Sequence, residues 1–315
     1  MARVSVVIPC YNGERFIVQA VQSALGQTYR DLEVIVVDDG SKDGSAALLR
    51  AIPDSRVRVV TQANAGVSAA RNAGVAVSSA DYVAFLDQDD LWFPDKLARQ
   101  LPIIDTAADL GLVYADCEIA TDGDVVVGRV SDRAPLRRGR QFEELIVDTR
   151  VPLSTMLMRR AVFDAVGGFR PKFRYVEDLD LLLRVAARHS IDFVDAPLAR
   201  YRVHAASVTR TLGLEVATRE LVELCEEWMA RDAARRPGVA RALASALYIA
   251  GKTAFYDGDA AVGERYLSES LRRHPHPRAW LFARAMRHAP WALLGARSLL
   301  RRARGHAAGP GADSR

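Results

Sequence analysis

Residues 82–92 read Tyr82-Val83-Ala84-Phe85-Leu86-Asp87-Gln88-Asp89-Asp90-Leu91-Trp92. An apolar run meets three carboxylates within four positions, and apolar residues then resume. The apolar half is short and suits a strand buried on both faces. The acidic half is harder to place, because burying an unpaired carboxylate costs on the order of several kcal/mol. Either these side chains face water, with Asp90 starting a turn toward Pro94, or something positive belongs beside them. An Asp-x-Asp pair, Asp87 and Asp89, offers hard oxygen ligands for Mg²⁺ or Mn²⁺. Such ions bind through one or two carboxylates plus substrate phosphates.

Upstream, the runs Val4–Ile8, Glu33–Val37 and Arg56–Val60 also read as buried strands. Between them the period changes to that of a helix. Phe16, Ala20 and Ala24 form one i,i+4 row, and Ile17, Val21 and Leu25 form the next, inside a helical stretch from Gly13 to Gly26. Residues 43–52 and 66–77 read as further helices, and Pro94 suits the first turn of another. Strands and helices alternating at this spacing imply a doubly wound α/β fold with a mostly parallel sheet.

Ligands of such sheets bind beyond the carboxyl ends of the strands. Three polar clusters converge there: Pro9-Cys10-Tyr11-Asn12-Gly13, Asp38-Asp39-Gly40-Ser41 and the acidic stretch. Tyr11 offers a flat face to a base, and Asp39 can accept from base or ribose donors. Gly40 permits close backbone approach. Arg71 is a fixed cation for a phosphate or for bracing the base pocket. The plain alternative for residues 38–41 is a turn, since Asp, Gly and Ser favour turns. No G-x-G-x-x-G follows a strand, which weakens a nicotinamide reading.

The totals set the frame. Of 315 residues, 50% are hydrophobic and 26% charged, so a sizeable core is available. The net charge of +4 is unevenly spread: from Leu271 onward there are ten arginines against one acid, Asp313. Three dispersed cysteines, Cys10, Cys117 and Cys225, suggest a reducing compartment. No apolar stretch suits a signal peptide or approaches the ~20 residues of a spanning helix. A cytoplasmic protein is expected, with the inner membrane face as a docking option.

From Leu112 to Arg210 the pattern becomes α+β. Val125–Val130, Thr155–Met158, Ile191–Val194 and Arg200–Val203 read as strands, and Asp178–His189 as a helix. Strand signals end near Leu212. The expected organisation is a domain over 1–210, a helical extension over 211–304 and a disordered tail over 305–315.

These motifs carry a resemblance. The stretches VSVVIPCYNGERFIVQAVQSALGQTYRDLEVIVVDDGSKDGS and NAGVSAARNAGVAVSSADYVAFLDQDDLWFPDKL are similar to family-2 glycosyltransferases of GT-A fold, in order and over roughly residues 2–209. The resemblance implies an inverting transfer from a nucleotide-diphosphate sugar. Tyr11 and Asp39 resemble the positions that hold the nucleobase, with Pro9 at the pocket wall and Arg71 as a further nucleotide contact. Asp87 and Asp89 match the DxD carboxylates around the donor diphosphate, Asp89 being the direct metal ligand. Glu177-Asp178 matches the family's E-D pair, whose second member corresponds to the catalytic base. An inverting displacement needs one carboxylate to take the acceptor proton. Asp178 also opens an apolar helix, where a carboxylate favours the dipole regardless. Tyr201-Arg202-Val203-His204 resembles the family's ending, which makes His204 a candidate for the metal or a phosphate.

The acceptor implied is a lipid-linked or cell-surface glycan intermediate, and no nucleic-acid motif is present. Residues 246–275 have a faint tetratricopeptide-like spacing, but a single unit forms no array. The segment 279–304 interleaves Trp, Leu and Phe with arginines and has no acid. It suits an anionic membrane surface, or equally a stripe packed on the body with arginines outward. The alternative function is a non-catalytic nucleotide-binding or interaction protein with a helical docking tail. Without ligand, the acidic cluster is expected to be poorly neutralised.

Overall fold

The apolar runs of the first hundred residues form one side of a single sheet. A computed structural model describes residues 2–132, 135–147, 151–205, 213–290 and 293–294. β1 (Val4–Cys10), β2 (Leu32–Asp38), β3 (Val57–Thr61) and β4 (Tyr82–Phe85) lie parallel in the order β3-β2-β1-β4. Val6 sits in register between Val34 and Ala84. The crossovers are α1 (Ile17–Leu25), α2 (Ser45–Arg50) and α3 (Val67–Ala76). α1 buries Ile17, Ala20, Val21 and Ala24, drawn from both apolar rows of its sequence. Pro9 sits inside β1, where proline removes a ladder donor. Its position is tolerable because β4 pairs only with Val4–Val7, so the strand runs on past that neighbour.

The second half closes the sheet with mixed directions. Its elements are β5 (Leu91–Trp92), α4 (Lys96–Asp105), β6 (Leu110–Thr121), β7 (Val126–Arg129), α5 (Phe142–Val147), β8 (Leu157–Arg159), α6 (Arg160–Val166), α7 (Glu177–Ala186) and β9 (Ser190–Val203). The order across the sheet is β3-β2-β1-β4-β8-β6-β9-β5, with β7 added on β6. β8 runs antiparallel to both β4 and β6, while β6 and β9 are parallel.

Three expectations change here. β6, a twelve-residue strand, was not legible as a strand at all. The two strands expected around Ile191 and Arg200 are one fourteen-residue strand, β9. It passes through Pro197 because the β6–β9 register shifts between Ala115 and Cys117, a local irregularity of the kind that accommodates proline. Residues 153–155 form a 3-10 turn, so the strand expected at Thr155 starts at Leu157.

The chain divides into two compact units, Met1–Glu220 and Leu221–Arg315. The expected boundary near 210 and the expected tail from 305 lie outside the described residues. The C-terminal region is helical: α8 (Gly213–Arg231), α9 (Arg236–Tyr256), α10 (Ala260–Arg273) and α11 (Pro277–His288). α10 opens on Asp259, whose carboxylate accepts from Val262 N at 2.9 Å. Ser270 Oγ donates to the Ala244 carbonyl at 2.6 Å, and Phe255, Leu267, Phe282 and Met286 form the unit's apolar core. All three cysteines are buried and unbridged. Among the described residues no helix is long and apolar enough to cross a membrane.

Candidate active site

The loops after β1 and β2 are zipped together by side chains. Asn12 N donates to Ser41 Oγ, Gly13 N to Ser45 Oγ, and Lys42 N to Asn12 Oδ1. Tyr11 is left 42% exposed at the carboxyl edge of the sheet, where its ring could stack on a planar group. Asp38 and Asp39 divide the work. Asp38 Oδ1 accepts from Ser41 N and makes the turn. Asp39 reaches across to the loop before α3, accepting from Gln62 Nε2 at 2.7 Å, Ala65 N at 2.9 Å and Gly66 N at 2.8 Å. Gly40 has φ +77°, and a Cβ there would stand 3.0 Å from Asn64 N. Glycine is therefore required on both counts.

The acidic loop after β4 is clasped to the β1 loop. Gln88 Oε1 accepts from Tyr11 N at 2.9 Å, and Gln88 Nε2 donates to Tyr11 O at 3.3 Å. A Cβ on Gly13 would lie 2.4 Å from Gln88 Oε1, so the clasp needs that glycine. Each of the three carboxylates has a hydrogen-bond partner. Asp87 Oδ1 accepts from Arg71 Nη2 at 2.7 Å. Asp89 Oδ2 lies 2.7 Å from His204 Nε2. Asp90 is buried and accepts from Ser154 Oγ at 2.5 Å and Arg202 N at 3.1 Å.

Asp90 thus buttresses the loop from below and does not serve as the solvated turn residue expected of it. Burial, then the charges of Asp89 and Asp87, pushes its carboxyl well above the usual range. Burial and the Asp87 charge also raise Asp89, with His204 opposing them. A cation at this edge would relieve that repulsion.

Arg71 joins the acidic loop to the E-D pair. Its guanidinium is buried, donating through Nη2 to Asp87 and through Nη1 to Glu177 Oε1 at 3.0 Å, while Nε finds no hydrogen-bond partner among the described residues. The group lies 5.2 Å from the Phe169 ring. Glu177 and Asp178 open α7, where the helix dipole favours negative charge. Burial, then the Asp178 charge, nevertheless pushes Glu177 up to about 7 against the pull of Arg71. Asp178 is also raised by burial, against the hydrogen bond that its Oδ1 accepts from Leu179 N at 2.6 Å.

Several residues of this site escaped the sequence reading. Ser154 receives Asp87 N, donates to Asp90, and offers its carbonyl to Trp92 Nε1. Glu220 Oε2 accepts from the backbone N–H groups of Arg174, Tyr175 and Val176, just ahead of α7. Neither has a sequence signal, because each acts over a long chain separation. Arg202 stood inside the Tyr201–His204 motif, but only the fold shows what it holds.

The carboxyl ends of β1, β2 and β4 thus gather an exposed aromatic ring, Tyr11, and the Asp87/Asp89 pair, and Arg71 ties Asp87 to the acid pair that opens α7. The family model described as Glycosyl transferase family 2 matches residues 5–167, just over half of the chain. The chain belongs to glycosyl transferase family 2. Its members are transferase enzymes, which removes the non-catalytic alternative.

An uncharacterized glycosyltransferase of Nostoc sp. is 31% identical to this family-2 chain over 214 residues, covering 65% of this chain and 66% of the relative. The chain therefore spans 66% of that relative's length. The UDP-Glc:alpha-D-GlcNAc-diphosphoundecaprenol beta-1,3-glucosyltransferase WfaP of Escherichia coli is 30% identical over 216 residues, covering 66% of this chain and 80% of WfaP. Among solved structures, S. aureus TarS 1-349 in complex with UDP-GlcNAc matches with a TM-score of 0.65 at 17% identity, over 87% of this chain and 82% of that one. The mannosyltransferase PcManGT from Pyrobaculum calidifontis, in complex with GDP-Man and Mn2+, matches at 0.61 and 18% identity, over 93% and 84%. At those identities the likeness concerns the fold, which is of GT-A type.

Proposed function

We propose that this glycosyltransferase moves a sugar, with inversion, from a nucleotide-diphosphate sugar to a hydroxyl of a lipid-linked or cell-surface glycan acceptor. The observation that carries this reading is the Arg71 bridge, which ties the diphosphate-side Asp87 to the acid pair Glu177-Asp178. The named acceptor of WfaP, a diphosphoundecaprenol-linked sugar, supports the acceptor class. Pro9 and Tyr11 would flank the base, Asp39 would meet base or ribose donors, and Arg71 would brace the same pocket. Asp178 would take the acceptor proton as the acceptor oxygen bonds the anomeric carbon and the bond to the leaving diphosphate breaks. Burial raises its affinity for protons, the direction that suits a general base.

The donor set of two carboxylates and one imidazole fits a divalent cation such as Mn²⁺ or Mg²⁺. Asp89, Asp87 and His204 would hold it. When bound, it would stabilise charge on the departing diphosphate. Among the described residues no three acidic, histidine or cysteine side chains form a ready-made cage, so substrate oxygens would complete the shell. We further read α11 as docking on an anionic membrane surface, where such acceptors reside. Trp280 and Leu281 are exposed on it, and it carries arginines and no acid.

The test is turnover against a panel of nucleotide sugars with and without Mn²⁺. Asp89→Ala and Asp178→Asn should each abolish transfer while keeping the wild-type circular dichroism. An active Asp178→Asn enzyme would overturn the base assignment.

A further inference from the structure

Two side chains, Arg202 near the end of strand β9 and His204 just past it, act on the acidic loop in different ways. His204 meets Asp89 through its ring nitrogen, with its ring 5.3 Å from that of Phe16. Arg202 never reaches the loop's carboxylates through its guanidinium. It is 1% exposed, and Nη1 donates to the Asp89 carbonyl at 3.3 Å. The rest of the fork turns away. Nη2 donates to Gln19 Oε1, and Nε and Nη2 grip both oxygens of Asp124 at 3.0 and 3.1 Å.

Asp124 belongs to the turn between β6 and β7. Its backbone has φ +62°, a left-handed conformation that non-glycine residues adopt at a cost. A bidentate pair with a buried guanidinium is a strong interaction and orients both partners. The neighbouring Asp122 carries no such duty: it pairs at 3.0 Å with the largely exposed Arg15.

We infer that Asp124 is a positioning residue for the diphosphate end of the site. Its carboxylate fixes Arg202, Arg202 holds the Asp89 backbone, and Asp89 stays aimed at His204. The inference rests on reading Asp89 and His204 as the cation-binding edge. The physical reason is competition for charge. A buried guanidinium stripped of its counter-ion seeks another carboxylate, and Asp89 and Asp90 are the acids of the loop it already touches through backbone atoms. Asp124 keeps the Arg202 charge from occupying the place of the divalent cation.

The experiment is calorimetric titration of the full chain with Mn²⁺ in the presence of UDP, and in parallel GDP, without acceptor. Asp124→Asn retains a residue tolerant of left-handed backbone, and Asp124→Gly relieves the backbone strain altogether. Both should weaken Mn²⁺ binding by roughly tenfold or more, the scale expected for a partner of a metal ligand. Asp122→Asn, in the same turn, should bind as wild type. If Asp124 were only a structural turn residue, Asp124→Gly would bind Mn²⁺ normally, and that result overturns the inference. Equal losses in Asp122→Asn and Asp124→Asn overturn it as well. Asp89→Ala separates the two levels. Mn²⁺ binding lost there but intact in Asp124→Asn sinks this inference alone, whereas binding that survives Asp89→Ala sinks the reading of the edge itself.

Discussion

Glu177 shows how one residue can be stabilised by a cation and still resist ionisation. Arg71 donates to it, yet burial and the adjacent Asp178 outweigh that help and hold its folded value near 7, above the ordinary 4.5. A carboxyl raised in this way favours the fold when protonated. Its contribution is complete below about 4.5 and fades as pH rises through 7, because in that window the native state binds the extra proton. Glu177→Gln stays neutral throughout. Urea unfolding of both proteins across this range should show wild type losing stability relative to the variant as pH rises. A pH-independent difference would show that folding leaves the proton affinity of Glu177 unchanged. The types and spacing of Tyr11, Asp39, Asp87, Asp89 and Glu177-Asp178 were legible in the sequence, because each follows a strand or opens a helix. Their partners were not. Asp90 is the instructive case, since a third acid in a row looks solvated until the fold brings Ser154 and the Arg202 backbone to it from 64 and 112 residues away.

At the scale of elements, the parallel half of the sheet announced itself and the mixed half did not. β1, β2 and β4 are β-branched or apolar runs ending in polar clusters, a pattern with few other solutions. β6 has Gly111, Asp116, Cys117 and Glu118 within it, so neither alternation nor a pure apolar run is visible. Asp116 is nevertheless buried, its Oδ1 accepting from Ser131 N and its Oδ2 from Ser131 Oγ, contacts that only the fold supplies. The start of α7 depends on a distant residue in the same way. Val176 at its N-cap has no side chain that could cap, and Glu220 supplies the acceptor for the segment before it. Glu220→Ala should leave three backbone donors without that partner, lowering stability by roughly 1–3 kcal/mol. Turnover should fall further than stability alone accounts for, because Asp178 lies two residues beyond Val176. Urea midpoints together with kcat measure both effects; an unchanged kcat in a destabilised Glu220→Ala would confine Glu220 to a structural role.

For the whole molecule, the charge asymmetry and the helical C-terminal region were both visible in composition, though their purpose was not. α11 buries Ala279, Phe282 and Met286 and leaves Trp280 and Leu281 about half exposed, beside Arg284 and Arg287. An aromatic residue among arginines suits an anionic interface. The full chain should co-sediment with vesicles containing phosphatidylglycerol and not with purely zwitterionic ones, and 0.5 M salt, on the order of three times physiological ionic strength, should weaken the association. Trp280→Ala combined with Leu281→Ala should release it. Undiminished sedimentation of that double variant would move the contact elsewhere.

Glu220 has a consequence for modularity. α8 begins at Gly213 and ends at Arg231, and the division between the two compact units falls inside it, directly after Glu220. The first two turns of that helix therefore belong to the machinery upstream, although by composition they belong to the helical extension. A shuffling event or a chimaera joined just after β9 would inherit a transferase lacking an acceptor that it needs at the threshold of α7. The portable catalytic cassette is longer than its motifs, and it ends in the middle of a helix.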